Sequence, residues 1–131
     1  MNKVGRKTDF SQIFAEKLSF PYDYDPEKQI LRMSAENVSH LLDILFNDEN
    51  LAFDYLRDLT AKDEPPGTFH VVYNFLSFKH RHTLMVIAQV PANDQGDLPE
   101  VDSATKYYNS ANWMEREVYD MFGIRFRNHP D

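Results

Sequence analysis

Hydrophobic positions along the chain switch between a helical and an extended spacing, and the switches outline the elements. Over residues 8–18, Phe10, Ile13, Phe14 and Leu18 form one helical stripe, with Thr8 or Asp9 placed to cap it. Residues 20–26, Phe-Pro-Tyr-Asp-Tyr-Asp-Pro, are predicted as a loop, because their two prolines forbid a continuing helix. Residues 29–33 alternate as a short strand. Ser34 then opens a second helix with the stripe Val38, Leu41, Leu42 and Leu45, which Asn47-Asp48-Glu49-Asn50 closes. Residues 51–60 settle into neither period and are expected to pass from a short helix or loop into a strand near 56–61. After the turn Lys62-Asp-Glu-Pro-Pro-Gly67, β-branched and aromatic residues over 69–78 predict a strand. Lys79-His80-Arg81-His82 reads as a hairpin tip, 84–90 as the returning strand, 91–99 as a loop and 101–108 as a short helix. The order predicts an α+β fold: a small, mostly antiparallel sheet with helices packed on one face, two layers, in a single domain spanning 1–131.

The densest pattern lies at the end, from Ser110 to Asp131. Asn112 is placed to cap a helix, with Glu115 three residues on in a capping-box arrangement. At about 100° per residue, Met114, Val118, Met121 and Phe122 share roughly 100° of arc, the predicted buried face. Glu115 and Glu117 then flank that face about 200° apart, so they cannot share a proton as a catalytic pair. Arg116 and Asp120 are neighbours at i,i+4. Trp113, the only tryptophan, and Tyr119 fall outside the arc. Gly123 suits the left-handed residue that ends a helix. A short apolar strand pattern and an Asn128-His129-Pro130 turn follow. The residues alone leave three readings of this helix: a plain amphipathic end, a docking surface built on Trp, Tyr and Arg, or catalysis by its carboxylates.

Composition narrows the function classes. A chain of 131 residues with 42% hydrophobic and 14% aromatic content can bury one core, roughly 65–70% of its unfolded surface. The net charge of −7 argues against nucleic acid and against direct adhesion to anionic lipid. The absence of cysteine removes iron–sulfur ligation, a thiolate nucleophile and disulfides, and fits a reducing compartment. The four glycines form no phosphate cradle, so no dinucleotide or nucleoside triphosphate is expected. Neither a secretory leader nor an apolar run of about 18 residues is present, so any membrane association is expected through another chain. His80 and His82, two apart, read as a solvated turn or as a weak metal site without a third ligand. Tyr22-Asp23-Tyr24-Asp25 reads as a connecting loop or an acidic surface for a cation.

Read together, Trp113-Met-Glu115-Arg116-Glu117-Val-Tyr119-Asp120-Met-Phe-Gly123-Ile-Arg-Phe126-Arg-Asn-His129-Pro130 resembles the signature of the thirty-kilodalton subunit (the C subunit) of proton-translocating NADH:quinone oxidoreductase, respiratory complex I. Tyr55-Leu-Arg-Asp58-Leu-Thr60-Ala-Lys-Asp63, Phe69-His-Val-Val-Tyr73 and Tyr107-Tyr-Asn-Ser-Ala111-Asn-Trp113 resemble the same family upstream. The resemblance implies a non-catalytic structural subunit of the peripheral arm. It would dock on the large subunit that forms the quinone pocket and on neighbouring hydrophilic-arm subunits. It implies a peripheral place on the cytoplasmic side of the inner membrane, reached only through the complex. It also implies no cofactor in this chain, with iron–sulfur clusters, FMN and quinone in partner subunits, and no catalytic residue. Trp113, Glu115, Arg116, Glu117, Tyr119, Asp120, Gly123, His129 and Pro130 are the signature positions and the expected partner interface. The family pattern continues past His-Pro-Asp with a basic, apolar segment, which this chain is read as lacking. The signature also resembles the corresponding subunit of energy-converting nickel–iron hydrogenases and formate hydrogenlyases. Two other classes remain: an enzyme using Glu117, Asp120 and His129, and a free-standing acidic protein-binding module.

Overall fold

The computed structural model of the protein describes residues 8–64, 67–91 and 99–130. Helix α1 runs over Ser11–Lys17, and Phe10 and Phe14 from its predicted stripe are buried. The segment predicted as a loop then forms a strand, β1 (Tyr22–Asp25), antiparallel to β2 (Ile30–Ser34). Its prolines, Pro21 and Pro26, flank the strand and so interrupt no ladder bond. Asp25 closes the connection by accepting from the Glu27 and Lys28 N–H groups (3.0 and 3.2 Å). Ser34 precedes a single 3-10 turn, Ala35–Asn37, and its side chain makes no cap bond. Helix α2 (Val38–Asn47) buries Val38, Leu41, Leu42 and Leu45, the predicted stripe.

The mixed period of 51–60 has a local cause. Leu51 and Phe53 lie buried in a loop, and β3 (Tyr55–Glu64) bulges between Leu56 and Asp58. The extra residue lets Leu56 and Leu59 both face the core, although they are three apart. Next come β4 (Thr68–Ser77) and β5 (His82–Pro91), close to the predicted hairpin. His82 is no part of a solvated tip. It starts β5, is 3% exposed, and sits between the rings of Phe10 and Phe53, each 4.8 Å away. The loop expected at 91–99 lies, for 92–98, outside the described residues. The helix expected at 101–108 is instead β6 (Glu100–Asp102) followed by turns. Helix α3 (Ala111–Phe122) and β7 (Arg125–Arg127) complete the described chain.

Five strands form one sheet in the order β1-β2-β5-β4-β3, antiparallel except for the β2–β5 pair; β6 and β7 form a separate parallel pair. The predicted α+β class therefore holds. Alternate residues of the central strands point into the core: Val71, Tyr73 and Phe75 from β4, and Leu84, Val86, Ala88 and Val90 from β5. They meet Phe14 of α1, Leu41 and Leu45 of α2 and Val118 of α3 in one continuous cluster. Helix α3 packs along β3, an outermost strand of the sheet.

Candidate functional site: helix α3 and the groove beside it

Helix α3 starts one residue earlier than its expected cap. Asn112 lies inside the helix, and Ser110 before it donates its hydroxyl to the Leu56 carbonyl (2.8 Å). The capping box does not form, because Glu115 is used elsewhere. It is 0% exposed and accepts from the Ser103 hydroxyl (2.6 Å) and the Ala104 backbone N–H (2.7 Å). This carboxylate therefore ties α3 to the turn that follows β6. The His129 Nε2 lies 3.9 Å from its Oε1 and donates to the Asn112 carbonyl at 2.9 Å, drawing in the segment after β7. Pro130 follows at the surface. Burial pushes the Glu115 carboxyl above the ordinary carboxylate range; the bonds from Ala104 and Ser103 and the nearby imidazole oppose that shift. Tyr73 is also pushed up, first by burial and then by the charges of Glu115 and Asp102. The Tyr73 hydroxyl and Asn112 Oδ1 are buried and have no hydrogen-bond partner among the described residues.

The buried face is rotated from the predicted arc. It consists of Ala111, Glu115 and Val118, with Met114 and Phe122 half-buried, while Met121 is 76% exposed. The spacing 111, 115, 118, 122 is an ordinary helical stripe. It runs through a glutamate, so a search for apolar residues places its centre too far round. Gly123 ends the helix at φ 73°, ψ 18°, with its N–H on the Tyr119 carbonyl (2.9 Å).

The opposite face presents Trp113 (63% exposed), Tyr119 (48%) and Met121, together with Arg116, Glu117 and Asp120. The Arg116 guanidinium lies over the Trp113 ring at 5.6 Å. Between α3 and β7 runs an open groove of about 560 Å³, with Arg116, Tyr119 and Asp120 on one wall and Arg125, Phe126 and Arg127 on the other. Glu117 does not reach it and lines a smaller hollow of about 250 Å³ with Trp113 and Met121. Asp120 borders both hollows, His129 only the first and Glu117 only the second, so neither of the two is lined by all three. Among the described residues no group of three or more His, Asp or Glu could hold a metal ion. The His80 and His82 rings lie 5.3 Å apart, but each Nε2 contacts a backbone carbonyl, of Glu49 (2.8 Å) and Leu51 (2.7 Å). No helix among the described residues is long and apolar enough to cross a membrane.

The exposure of Trp113 and Tyr119 is readable from the sequence pattern, whereas that of Met121, placed on the predicted buried face, is not. Nor is Glu115 as an internal tether, nor are its partners Ser103 and Ala104. The one available signal is a carboxylate at a stripe position, 111, 115, 118.

Among the solved structures that share the fold, two illustrate it. The trypsin-resistant fragment of Nqo5 (1–134) aligns with a TM-score of 0.66 and 24% identity, over 93% of this chain and 98% of that one. A chain of the membrane-bound sulfane sulfur reductase, an archaeal respiratory membrane complex, aligns at 0.71 and 22% identity, over 91% and 68%. In sequence the chain is 41% identical over 99 residues to the C subunit of NADH-quinone oxidoreductase from Citrifermentans bemidjiense, covering 73% of this chain and 57% of that protein. It is 37% identical over 110 residues to NADH-ubiquinone oxidoreductase subunit 9 of Reclinomonas americana, covering 82% and 52%. The chain thus spans about half the length of the curated relatives it matches. Residues 31–131 match the family described as respiratory-chain NADH dehydrogenase, 30 Kd subunit, and the chain belongs to that family.

Proposed function

We propose that this chain is a non-catalytic structural subunit of the peripheral arm of a proton-translocating NADH:quinone oxidoreductase. It docks on the large subunit that forms the quinone pocket and contacts neighbouring hydrophilic-arm subunits. In this way it supports electron transfer from NADH to quinone without carrying an electron itself. Iron–sulfur clusters, FMN and quinone belong to the partners, and the chain sits on the cytoplasmic side of the inner membrane, held there by the complex. The observation that carries this reading is the division of the signature helix. Its buried carboxylate, Glu115, is spent on holding the domain together, while Trp113, Arg116, Tyr119 and Met121 stay in water. Large aromatic, methionine and arginine side chains on one exposed helix face are the composition of an interface.

Affinity purification of the tagged chain from its own cells tests the reading. The expected co-purifying protein is a large subunit with a quinone pocket, in a complex that oxidises NADH. Recovery of a nickel-site large subunit instead would assign the chain to an energy-converting hydrogenase or formate hydrogenlyase. A monomer that brings down no oxidoreductase subunit would leave a free-standing binding module.

A further inference from the structure

The groove between α3 and β7 opposes the charge of the molecule around it. The whole chain carries −7. The groove is nevertheless lined by Arg116, Arg125, Arg127 and His129, with Asp120 the one exposed carboxylate in its lining. Glu115 lies beneath, out of solvent and already bonded to Ser103 and Ala104. Arg127 holds Asp102 through Nε at 2.9 Å, and Arg125 stands 4.0 Å from Glu100. Both pairs are at the surface, with the arginine side chains 47% and 59% exposed. A guanidinium has five N–H donors in a planar fork, so one carboxylate does not saturate it. Tyr119 supplies apolar contact in the same groove, and β7 has one edge with no strand partner among the described residues.

We infer that this groove receives an acidic, extended segment of the partner subunit, whose carboxylates bind Arg125 and Arg127 while its backbone follows β7. The inference rests on the docking role proposed above. Charge complementarity selects an anion, since an acidic molecule that concentrates arginines in one groove draws in negative groups and repels them elsewhere. The exposed Trp113, Tyr119 and Met121 on the same helix select a protein segment over a lipid headgroup, and the net charge of −7 opposes approach to an anionic bilayer. An open strand edge suits an extended backbone.

The test uses the assembled complex. With Arg125→Lys and Arg127→Lys in place, a zero-length carbodiimide joins each lysine to any carboxylate it touches, and mass spectrometry locates the products. Cross-links to one short Asp/Glu-rich stretch of a partner subunit are expected. Cross-links confined to Glu100 and Asp102, or made to a second copy of this chain, would overturn the inference. In parallel, the Arg125→Gln, Arg127→Gln double variant is expected to bind the isolated large subunit at least tenfold more weakly at moderate salt, with a shallower salt dependence and an unchanged melting temperature. Undiminished binding with an unchanged salt slope would also overturn it, as would flotation of the isolated chain with phosphatidylglycerol vesicles that the double variant abolishes. If the unaltered chain brings down no large subunit, the proposed function itself fails and this inference falls with it. A complex that forms but shows only internal cross-links refutes the groove assignment alone.

Discussion

Glu115 is a carboxylate shielded from water, held by one hydroxyl and one backbone N–H. Replacing it with alanine leaves the Ala104 N–H and the Ser103 hydroxyl without their acceptor, which should cost about 2–4 kcal/mol in denaturant unfolding. Glutamine keeps an acceptor for Ala104 and turns a donor toward Ser103, so Glu115→Gln should cost far less. Its effect also depends on pH. Burial raises the folded-state pKa of Glu115 above its unfolded value near 4.5. A group raised in this way contributes stability that is complete below the unfolded value and is lost as pH rises through the folded one. Glutamine does not titrate, so the melting temperature of the native chain should fall relative to that of Glu115→Gln as pH increases from about 4.5. Parallel melting curves across that range would show that the carboxyl is not under strain. Hydropathy could not reveal this residue. Its place on the stripe 111, 115, 118 is the one local hint, and its partners, Ser103 and Ala104, arrive from another element.

Helix α3 shows what element-level reading captures and where it slips. The helix, its glycine stop and its exposed Trp113 and Tyr119 were all legible, because the 3.6-residue period and the left-handed Gly123 are local properties. Gly123→Ala puts a Cβ on a residue at φ 73° and should cost about 1–2 kcal/mol in thermal or chemical unfolding. Trp113→Ala removes a side chain that is 63% exposed. Unfolding of the isolated domain should therefore change by no more than about 0.5 kcal/mol, while the docking role proposed above predicts weaker binding to the large subunit. Equal losses in both measurements would contradict the division of the helix into an inner and an outer face. The missed elements were short and depended on distant partners. β6 exists because Val101 pairs beside Phe126 of β7, and β1 exists because Tyr22 pairs beside Met33. Three- and four-residue strands carry too little pattern of their own to be distinguished from turns.

At the scale of the molecule, the central pair β4 and β5 is bonded on both sides, whereas β1, β3, β6 and β7 each have an edge without a strand partner among the described residues. Native-state hydrogen exchange should therefore be slowest in the alternate buried positions of β4 and β5 and faster in β6 and β7. The core is tied across the chain by bonds between side chains and backbone: Tyr108 to the Phe53 carbonyl (2.7 Å) and His82 to the Leu51 carbonyl (2.7 Å). Phe14→Ala removes a fully buried ring and should cost about 3–5 kcal/mol, well above any single change on the outer face of α3. Phe122, which the predicted arc placed on the inner face, is only half-buried, against Phe69 at 6.3 Å, and should cost less.

The sequence by itself determined the α+β class, the stripes of α1 and α2, the β4–β5 hairpin, and a signature helix with its exposed aromatic face. Each rests on a short-range period or a residue-specific backbone preference, both of which are written locally. The tertiary structure alone decided the burial of Glu115 and His82, the short strands β1 and β6, and the pairing of α3 with β7 around an arginine-lined groove. Those features join residues far apart in the chain. Their energies come from desolvation and hydrogen bonding between elements, which no local pattern of polar and apolar residues encodes.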